Sequence, residues 1–409
     1  MDGRIMEQAL SGLKVLEYGN SVPAAFCTKF LADLGAEVIK VERPGTGDAT
    51  RRLGPFVSNA PELERSLLFL YLNTNKLGIT LNMEKPLGKS LFQRLAEQTD
   101  ILLEDNPPET ARNLGLRYDL LKSMNPRLIM ASITPFGQSG PYRDYRSTDL
   151  VTFHMSGYGY ITPGGGVDQP DAEPPLRVTG RVSEFGAGIV AAIAVMCGVF
   201  RRNTTGEGQY IDLSQMEAGC HLGIGAIFGF LYSKINRDRI KSGINGNVAI
   251  LPTQDGYICF QGLRQYQWDA LLELMGGTDS ATREFFKSQP NRVANWDAVE
   301  LVMSQWSMQH TKGDLTRMAQ AKGIPASPVN TPGDIVEAEQ MKARAFLVDV
   351  DHPAGGRTRH PGAPFQLSQT PWQLRRPAPR LGQHNEDIYC RRLGYSRREL
   401  ARACELGVV

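Results

Sequence analysis

Apolar residues near the start of the chain fall into two alternating patterns: short unbroken runs, and longer stretches with apolar positions three or four apart. The segment 10–16 ends in a strand-like run. Ala24 to Leu34 reads as a helix with Phe26, Phe30, Leu31 and Leu34 on one face, stopped by Gly35, and Glu37 to Glu42 reads as a strand. Strand, helix, strand at this spacing is a βαβ unit and implies a parallel sheet. The alternation continues through a strand at 79–81, a helix from Pro86 to Thr99, a strand at 100–104, a helix from Tyr118 to Met124 and a strand at 128–133. This is the pattern of an open α/β fold, where ligands sit beyond the carboxyl ends of the strands. Those ends carry Arg43, Glu104-Asp105-Asn106 and Thr134-Pro135-Phe136-Gly137.

The stretch 174–214 predicts a polar loop, a helix, a tight turn and a strand. Ser183 is placed to cap the helix, and Glu184 falls in its first turn, where unpaired N–H groups favour an anion. Phe185 to Phe200 holds no charge and is crowded with Gly and Ala, so the helix can lie close to another backbone or to a ligand. Arg201 and Arg202 end it, suiting the negative pole of the helix. Further on, 218–233 predicts one long apolar helix, 257–260 and 326–329 predict strands, and 268–275 and 297–309 predict helices. The segment 346–383 is rich in Pro and Gly and predicts an extended surface tail, with His352 and His360 in a loop. A helix over 392–405 closes the chain.

Composition narrows the function. The 409 residues are enough for two or more domains, and a net charge of +2 with no basic stripe disfavours a nucleic-acid partner. Six scattered cysteines without a C-x-x-C pair suit a reducing, cytoplasmic setting, and Cys197 and Cys220, inside apolar runs, are expected as small core residues. The six histidines show no metal-ligand spacing, so no metal is expected. The N-terminus lacks a signal-peptide pattern. The 185–200 run is shorter than the roughly 20 residues that cross a bilayer, so no membrane partner is expected. No G-x-G-x-x-G stands between the first strand and helix, where Asn20-Ser21-Val22-Pro23 is found, and this disfavours a dinucleotide.

Several segments together resemble the family III CoA-transferases, the CaiB/BaiF type that includes formyl-CoA, carnitine and benzylsuccinate CoA-transferases and the α-methylacyl-CoA racemases. They are FLADLGAEVIKVERPGTGDATR at 30–51, NTNKLGITLN at 73–82, LGLRYDLLKSMNPRLIMASITPFGQSGP at 114–141, TGEGQYIDLSQME at 205–217, IPASPVNT at 324–331, and PFQLSQTP and APRLGQHNEDI in the tail. The resemblance implies an open Rossmann-like large α/β domain built from both chain ends (1–224 and 331–409) and a small α+β middle domain (225–330). It also implies an interlocked dimer. The substrate it implies is coenzyme A carried as acyl-CoA.

In that family an Asp attacks the acyl-CoA thioester, and Glu184 stands at the matching position. The resemblance further assigns Arg43, Arg51, Asn75, Lys76 and Asp105 to CoA binding. The amides of Phe185 and Gly186 and the loop around Gly243 and Gly246 are implied for oxyanion stabilisation. This chain departs from the pattern in several places. Glu replaces Asp at 184, and Glu104-Asp105-Asn106-Pro107-Pro108-Glu109 replaces a typical E-N-F-R-P-G. The Gly-rich loop is thinned to Ser242–Asn247, Thr134 stands where some members have Lys, and Thr148 stands where racemases carry His.

Two readings follow. In one, the chain is a CoA-transferase moving CoA between carboxylic acids through an anhydride and a thioester on Glu184, as a homodimer. In the other, it is a non-catalytic subunit of a heteromer whose sister chain carries the nucleophilic Asp. Racemase or lyase chemistry is a lesser alternative, since Thr148 leaves the racemase acid–base pair incomplete.

Overall fold

The computed structural model describes residues 8–164, 167, 169, 172–236, 239, 248–261, 263–277 and 280–409. They gather into two compact units. One comprises 1–158, 178–224 and 342–409, the other 159–177 and 225–341.

The first unit is built on six parallel strands: β1 (Lys14–Tyr18), β2 (Glu37–Glu42), β3 (Leu77–Thr80), β4 (Ile101–Glu104), β5 (Ile129–Thr134) and β6 (Tyr210–Ser214), in the order β3-β2-β1-β4-β5-β6. The crossovers carry α1 (Val22–Asp33), α2 (Leu67–Leu72), α3 (Pro86–Ala96), α4 (Pro108–Leu114), α5 (Tyr118–Met124), α6 (Asp149–Met155) and α7 (Val182–Thr205), and α8 (Gln215–Leu222) follows β6. The strand order reverses between β1 and β4, which opens a crevice at their carboxyl ends. β3, β4 and β5 are buried along their whole length, as a sheet covered on both faces requires.

Helix α7 packs on α1. Ala187, Ala191 and Val195 are fully buried in the cluster that holds Ala24, Cys27 and Leu31. Gly188 lets the helices approach: a Cβ there would meet the Pro23 carbonyl at 3.0 Å. At 24 residues α7 is longer than its apolar run and is, by length and composition, able to cross a membrane, but its small-residue face is buried against α1 and the sheet. Gly208, just before β6, has no room for a side chain at all, since a Cβ would lie 1.9 Å from the Leu128 carbonyl. Gly208→Ala is therefore expected to cost about 3 kcal/mol in urea denaturation by forcing β5 and β6 apart.

Several expectations are corrected. Ser183 does not cap α7: the helix begins at Val182, two residues before the expected start, and Arg181, with φ 56° and ψ 49°, stands at the cap. The long apolar helix breaks at Gly223 into α8 and a second helix, Ile224–Ser233. The Pro/Gly-rich tail is not simply extended, for it carries an antiparallel hairpin, Leu347–His352 with Gly356–Pro361. His352 and His360 are buried there, not in a surface loop. Burial, then Lys29 and His352, pushes His360 down to about 4. Cys197 is exposed, not a core residue. The closing helix spans Arg397–Glu405.

After the hairpin the tail runs along β3, the edge of the sheet. Asn385 hydrogen-bonds Thr80, His384 Nδ1 accepts from the Gly78 amide, and Tyr389 donates to the Thr80 carbonyl. The tail thereby covers an edge that would otherwise be open for pairing.

The second unit holds an antiparallel sheet of Val248–Thr253, Gly256–Gln261 and Ala326–Pro328. Helices including Gln265–Leu274, Trp296–Ser307 and Lys312–Ala321 surround a core of Phe260, Trp268, Phe286 and Met303. Gly243 and Gly246 lie outside the described residues.

Candidate active site

The crevice at the switch point contains the carboxylate that the sequence singles out. Glu184, in the first turn of α7, borders a cavity of about 620 Å³. The cavity is also lined by Ser21 after β1, Asp105 after β4, Pro135 after β5, Gln215 after β6 and the loop from Arg143 to Thr148. Only 11% of the Glu184 side chain is exposed. Both carboxylate oxygens accept from one nitrogen, Arg181 Nη1, at 2.9 and 3.2 Å. Burial raises the Glu184 carboxyl above its ordinary value, Arg181 opposes the rise and Asp149 adds to it. The outcome is a carboxylate more basic than usual, with its charge met by one cation.

The amides around it are already engaged. Asp149, opening α6, accepts from the Glu184 N–H at 3.1 Å, and the Phe185 N–H donates to the Arg181 carbonyl at 3.0 Å. The Phe185 donor, expected at an oxyanion, is engaged inside the helix in this structure. Gly186 is an interior residue of the same helix, facing Leu222.

A second cavity of about 570 Å³ adjoins the first, sharing Pro107 and Thr110. It is lined by Tyr18, Asn20, Arg43, Arg52 and Asp48 at the carboxyl ends of β1 and β2. Arg43 is 62% exposed and pairs with the equally exposed Glu84, an interaction of little net energy.

Three of the cations and amides assigned to CoA binding lie elsewhere, and for physical reasons. Arg51 is fully buried. It forks onto both Glu42 oxygens at 2.7 and 2.8 Å, reaches Glu64 at 2.9 Å and stacks 3.6 Å from the centre of the Phe69 ring. Lys76 is sealed in the core and donates to Glu17, the Ala25 carbonyl and Asn73. Burial lowers it to about 8. Asn75, at φ 67°, donates to Asp33 and the Gln373 carbonyl and accepts from the amides of Arg375 and Arg376, tying the tail to α1. These residues hold the fold and have no free donor for a phosphate.

Asp105 stays at the cavity wall, but its oxygens are busy. They accept from the Asn20 amide at 2.7 Å, the Ser21 amide at 3.1 Å and the Ser21 hydroxyl at 2.6 Å, closing the start of α1. Burial outweighs these bonds and raises Asp105 to about 7. The folded chain therefore binds this proton more tightly than the unfolded chain does, so the stabilisation it brings is complete at acid pH and is lost as pH rises through about 7. Urea denaturation at pH 5 and pH 8 is expected to show a smaller loss of stability with pH in Asp105→Asn than in the parent.

Among the described residues no cluster of His, Cys, Asp and Glu is arranged to hold a metal.

A family model, CoA-transferase family III, matches residues 10–385. The chain belongs to CoA-transferase family III. A succinate–glutarate CoA-transferase of Agrobacterium fabrum is 31% identical, over 93% of this chain and 94% of its own length. The beta subunit of a succinyl-CoA–L-malate CoA-transferase of Chloroflexus aurantiacus is 30% identical, over 96% of each chain. The crystal structure of a CAIB/BAIF family protein from Brucella suis is 28% identical, with a TM-score of 0.82 over 96% of this chain and 100% of that one. Transfer of CoA, with acyl-CoA as substrate, is the chemistry of the family.

Two residues of this family III chain escaped the sequence reading, Arg181 and Asp149. Arg181 had only its closeness in sequence to the acid as a signal, since it stands at the cap and not on the helix. Asp149 had none, since only the packing of α6 on α7 brings it to the Glu184 amide.

Proposed function

We propose that this chain is a CoA-transferase that moves CoA from an acyl-CoA donor to a carboxylic acid, with Glu184 as the nucleophile. One observation carries the reading: a nearly sealed carboxylate, its pKa raised by burial, lies on the wall of the cavity at the sheet's switch point. Glu184 attacks the donor thioester, giving a mixed anhydride and CoA thiolate. The thiolate returns to Glu184, releasing the donor acid and leaving a glutamyl-CoA thioester. The acceptor carboxylate attacks that thioester, and CoA thiolate then takes the acyl group from the new anhydride. Anhydride and thioester are comparably activated, so no step is steeply uphill. Arg43 and Arg52, in the adjoining cavity, suit the phosphates of CoA.

The reading includes a dimer with a second chain of this kind, its rings interlocked. Support comes from an apolar groove of about 730 Å³ with exposed Ile189, Ile193 and Phe200 on α7 beside Phe30, Leu34 and Phe365. A face of this kind on a folded chain marks an association surface.

A second reading, a non-catalytic subunit beside a sister chain, draws on the Glu in place of Asp and on its ion pair with Arg181. One relative is itself named a subunit. Mass spectrometry of the Glu184 peptide, after the purified chain meets succinyl-CoA and is quenched with hydroxylamine, tests the choice. A hydroxamate on Glu184 is the expected result. No adduct from the chain alone, with turnover on adding a sister chain, decides for the subunit.

A further inference from the structure

Arg181 occupies an unusual position. Its backbone is left-handed, at φ 56° and ψ 49°, a conformation that side chains disfavour and glycine adopts freely. The arginine there cups the carboxylate of the cavity-lining Glu184, with Nη1 reaching both oxygens. Its side chain is 37% exposed against 11% for Glu184, so the cation is the more solvent-accessible partner of the pair. Asp149 from α6 holds the Glu184 amide, and the charged groups that line the cavity with Glu184 are Asp105 after β4, Glu109 on α4, and Arg143, Asp144 and Arg146 from the loop before α6. The Glu184 and Phe185 amides are taken, by Asp149 and by the Arg181 carbonyl. Among the described residues Arg181 is the cation in hydrogen-bond contact with the Glu184 carboxylate, so negative charge arising there has a cation within reach.

We infer that Arg181 is a counterion that changes partner during catalysis. It pairs with Glu184 at rest and stabilises the negative charge that leaves Glu184 when the acyl group is taken up. This rests on Glu184 being the nucleophile. When a Glu184 oxygen bonds to the acyl carbon, the C–S bond breaks and its electron pair goes to sulfur as CoA thiolate. Glu184 becomes a neutral anhydride, and no proton moves. The guanidinium thus loses its anionic partner in the step that creates a new anion within reach. The return of thiolate to Glu184 runs the same exchange backwards, with the donor carboxylate as the departing anion. A guanidinium on a side chain 37% exposed to solvent has room to follow both.

The test measures exchange of labelled free CoA into succinyl-CoA by the purified chain, with any sister chain its activity requires present throughout. Arg181→Gly suits the left-handed backbone and removes only the cation. We expect kcat to fall by about 10²-fold or more, with KM for succinyl-CoA within about threefold of the parent and Tm unchanged or raised. Guanidinium ion at millimolar level restores part of the rate to Arg181→Gly, and Arg181→Lys keeps more activity than Arg181→Gln. The acid limb of the pH–rate profile also moves up in Arg181→Gln, because the cation that favours ionised Glu184 is gone. Full exchange by Arg181→Gly overturns the inference, as does a parallel loss of Tm and activity without guanidinium rescue. Glu184→Gln separates the two readings. If it stays active, the nucleophile assignment itself fails; if it is inactive while Arg181→Gly is fully active, only the role of Arg181 falls.

Discussion

Glu184→Gln is expected to lower CoA transfer on the order of 10⁴-fold or more while leaving the fold intact, because removing a covalent nucleophile removes the pathway and not merely one contact. The amide is isosteric and still receives a hydrogen bond from Arg181, so Tm moves little. Steady-state transfer from succinyl-CoA to a dicarboxylic acid, measured with any required sister chain present, reads the loss, and near-parent rates would refute the nucleophile. Glu184→Asp is the informative companion. It withdraws the carboxylate by about 1.5 Å, and a misplacement of that size can cost ~10²-fold in rate. A gain from Glu184→Asp would mean that the cavity retains the geometry of the family aspartate. The reaction uses ionised Glu184, and burial raises its pKa, so kcat rises with pH through a value higher than that of an exposed glutamate. That limb disappears with Glu184→Gln.

Arg51→Met is expected to destabilise the large unit by about 3–5 kcal/mol, the typical cost of removing one partner from a buried ion pair. Arg51 satisfies both oxygens of Glu42, one of Glu64 and the Pro379 carbonyl, all in the interior or at its margin. Without it Glu42, 2% exposed, becomes a buried anion with no fork to hold it. The contact with Pro379 also ties the tail down beside β3. Urea denaturation measures the loss. The prediction separates structure from binding: KM for succinyl-CoA in the folded fraction stays near the parent value. Unchanged stability with a raised KM would return Arg51 to the CoA site.

The same contrast shows what could be read along the chain. β2 was legible to the residue, and helix α5 likewise, because a fully covered strand and a short amphipathic helix are specified by their own side chains. The hairpin at 347–361 was hidden by its composition. Its Pro and Gly residues read as loop, and the pairing that makes it a hairpin forms only across the turn. The one long apolar helix read over 218–233 was a failure of another kind. Periodicity runs on through Gly223, while the chain ends α8 there.

For the site, sequence could find the acid but not its setting. Charged residues at strand ends look alike in one dimension whether they face a ligand or a neighbour. Arg43 and Arg51 are separated by one short loop, yet the first is 62% exposed and the second sealed under Phe69. Lys40, Lys76, Glu17 and Asp48 form a closed internal network, with Lys40 bridging Glu17 and Asp48 at 2.6 Å each. Burial alone would raise Glu17, but the two lysines win and hold it down at about 2. Nothing in spacing reveals such a network, because its members come from β1, β2 and the loops beyond β2 and α2.

What the sequence determined by itself was the alternation of strand and helix, the parallel sheet that follows from it, and the candidate acid at the head of a small-residue helix. These depend on periodicity and on the chemistry of neighbouring residues. The tertiary structure alone decided which cations hold the fold and which remain at the crevice, and that Arg181 and Asp149 flank Glu184. Burial and long-range pairing set the energy of a charge, and both arise only when segments far apart in the chain are brought together.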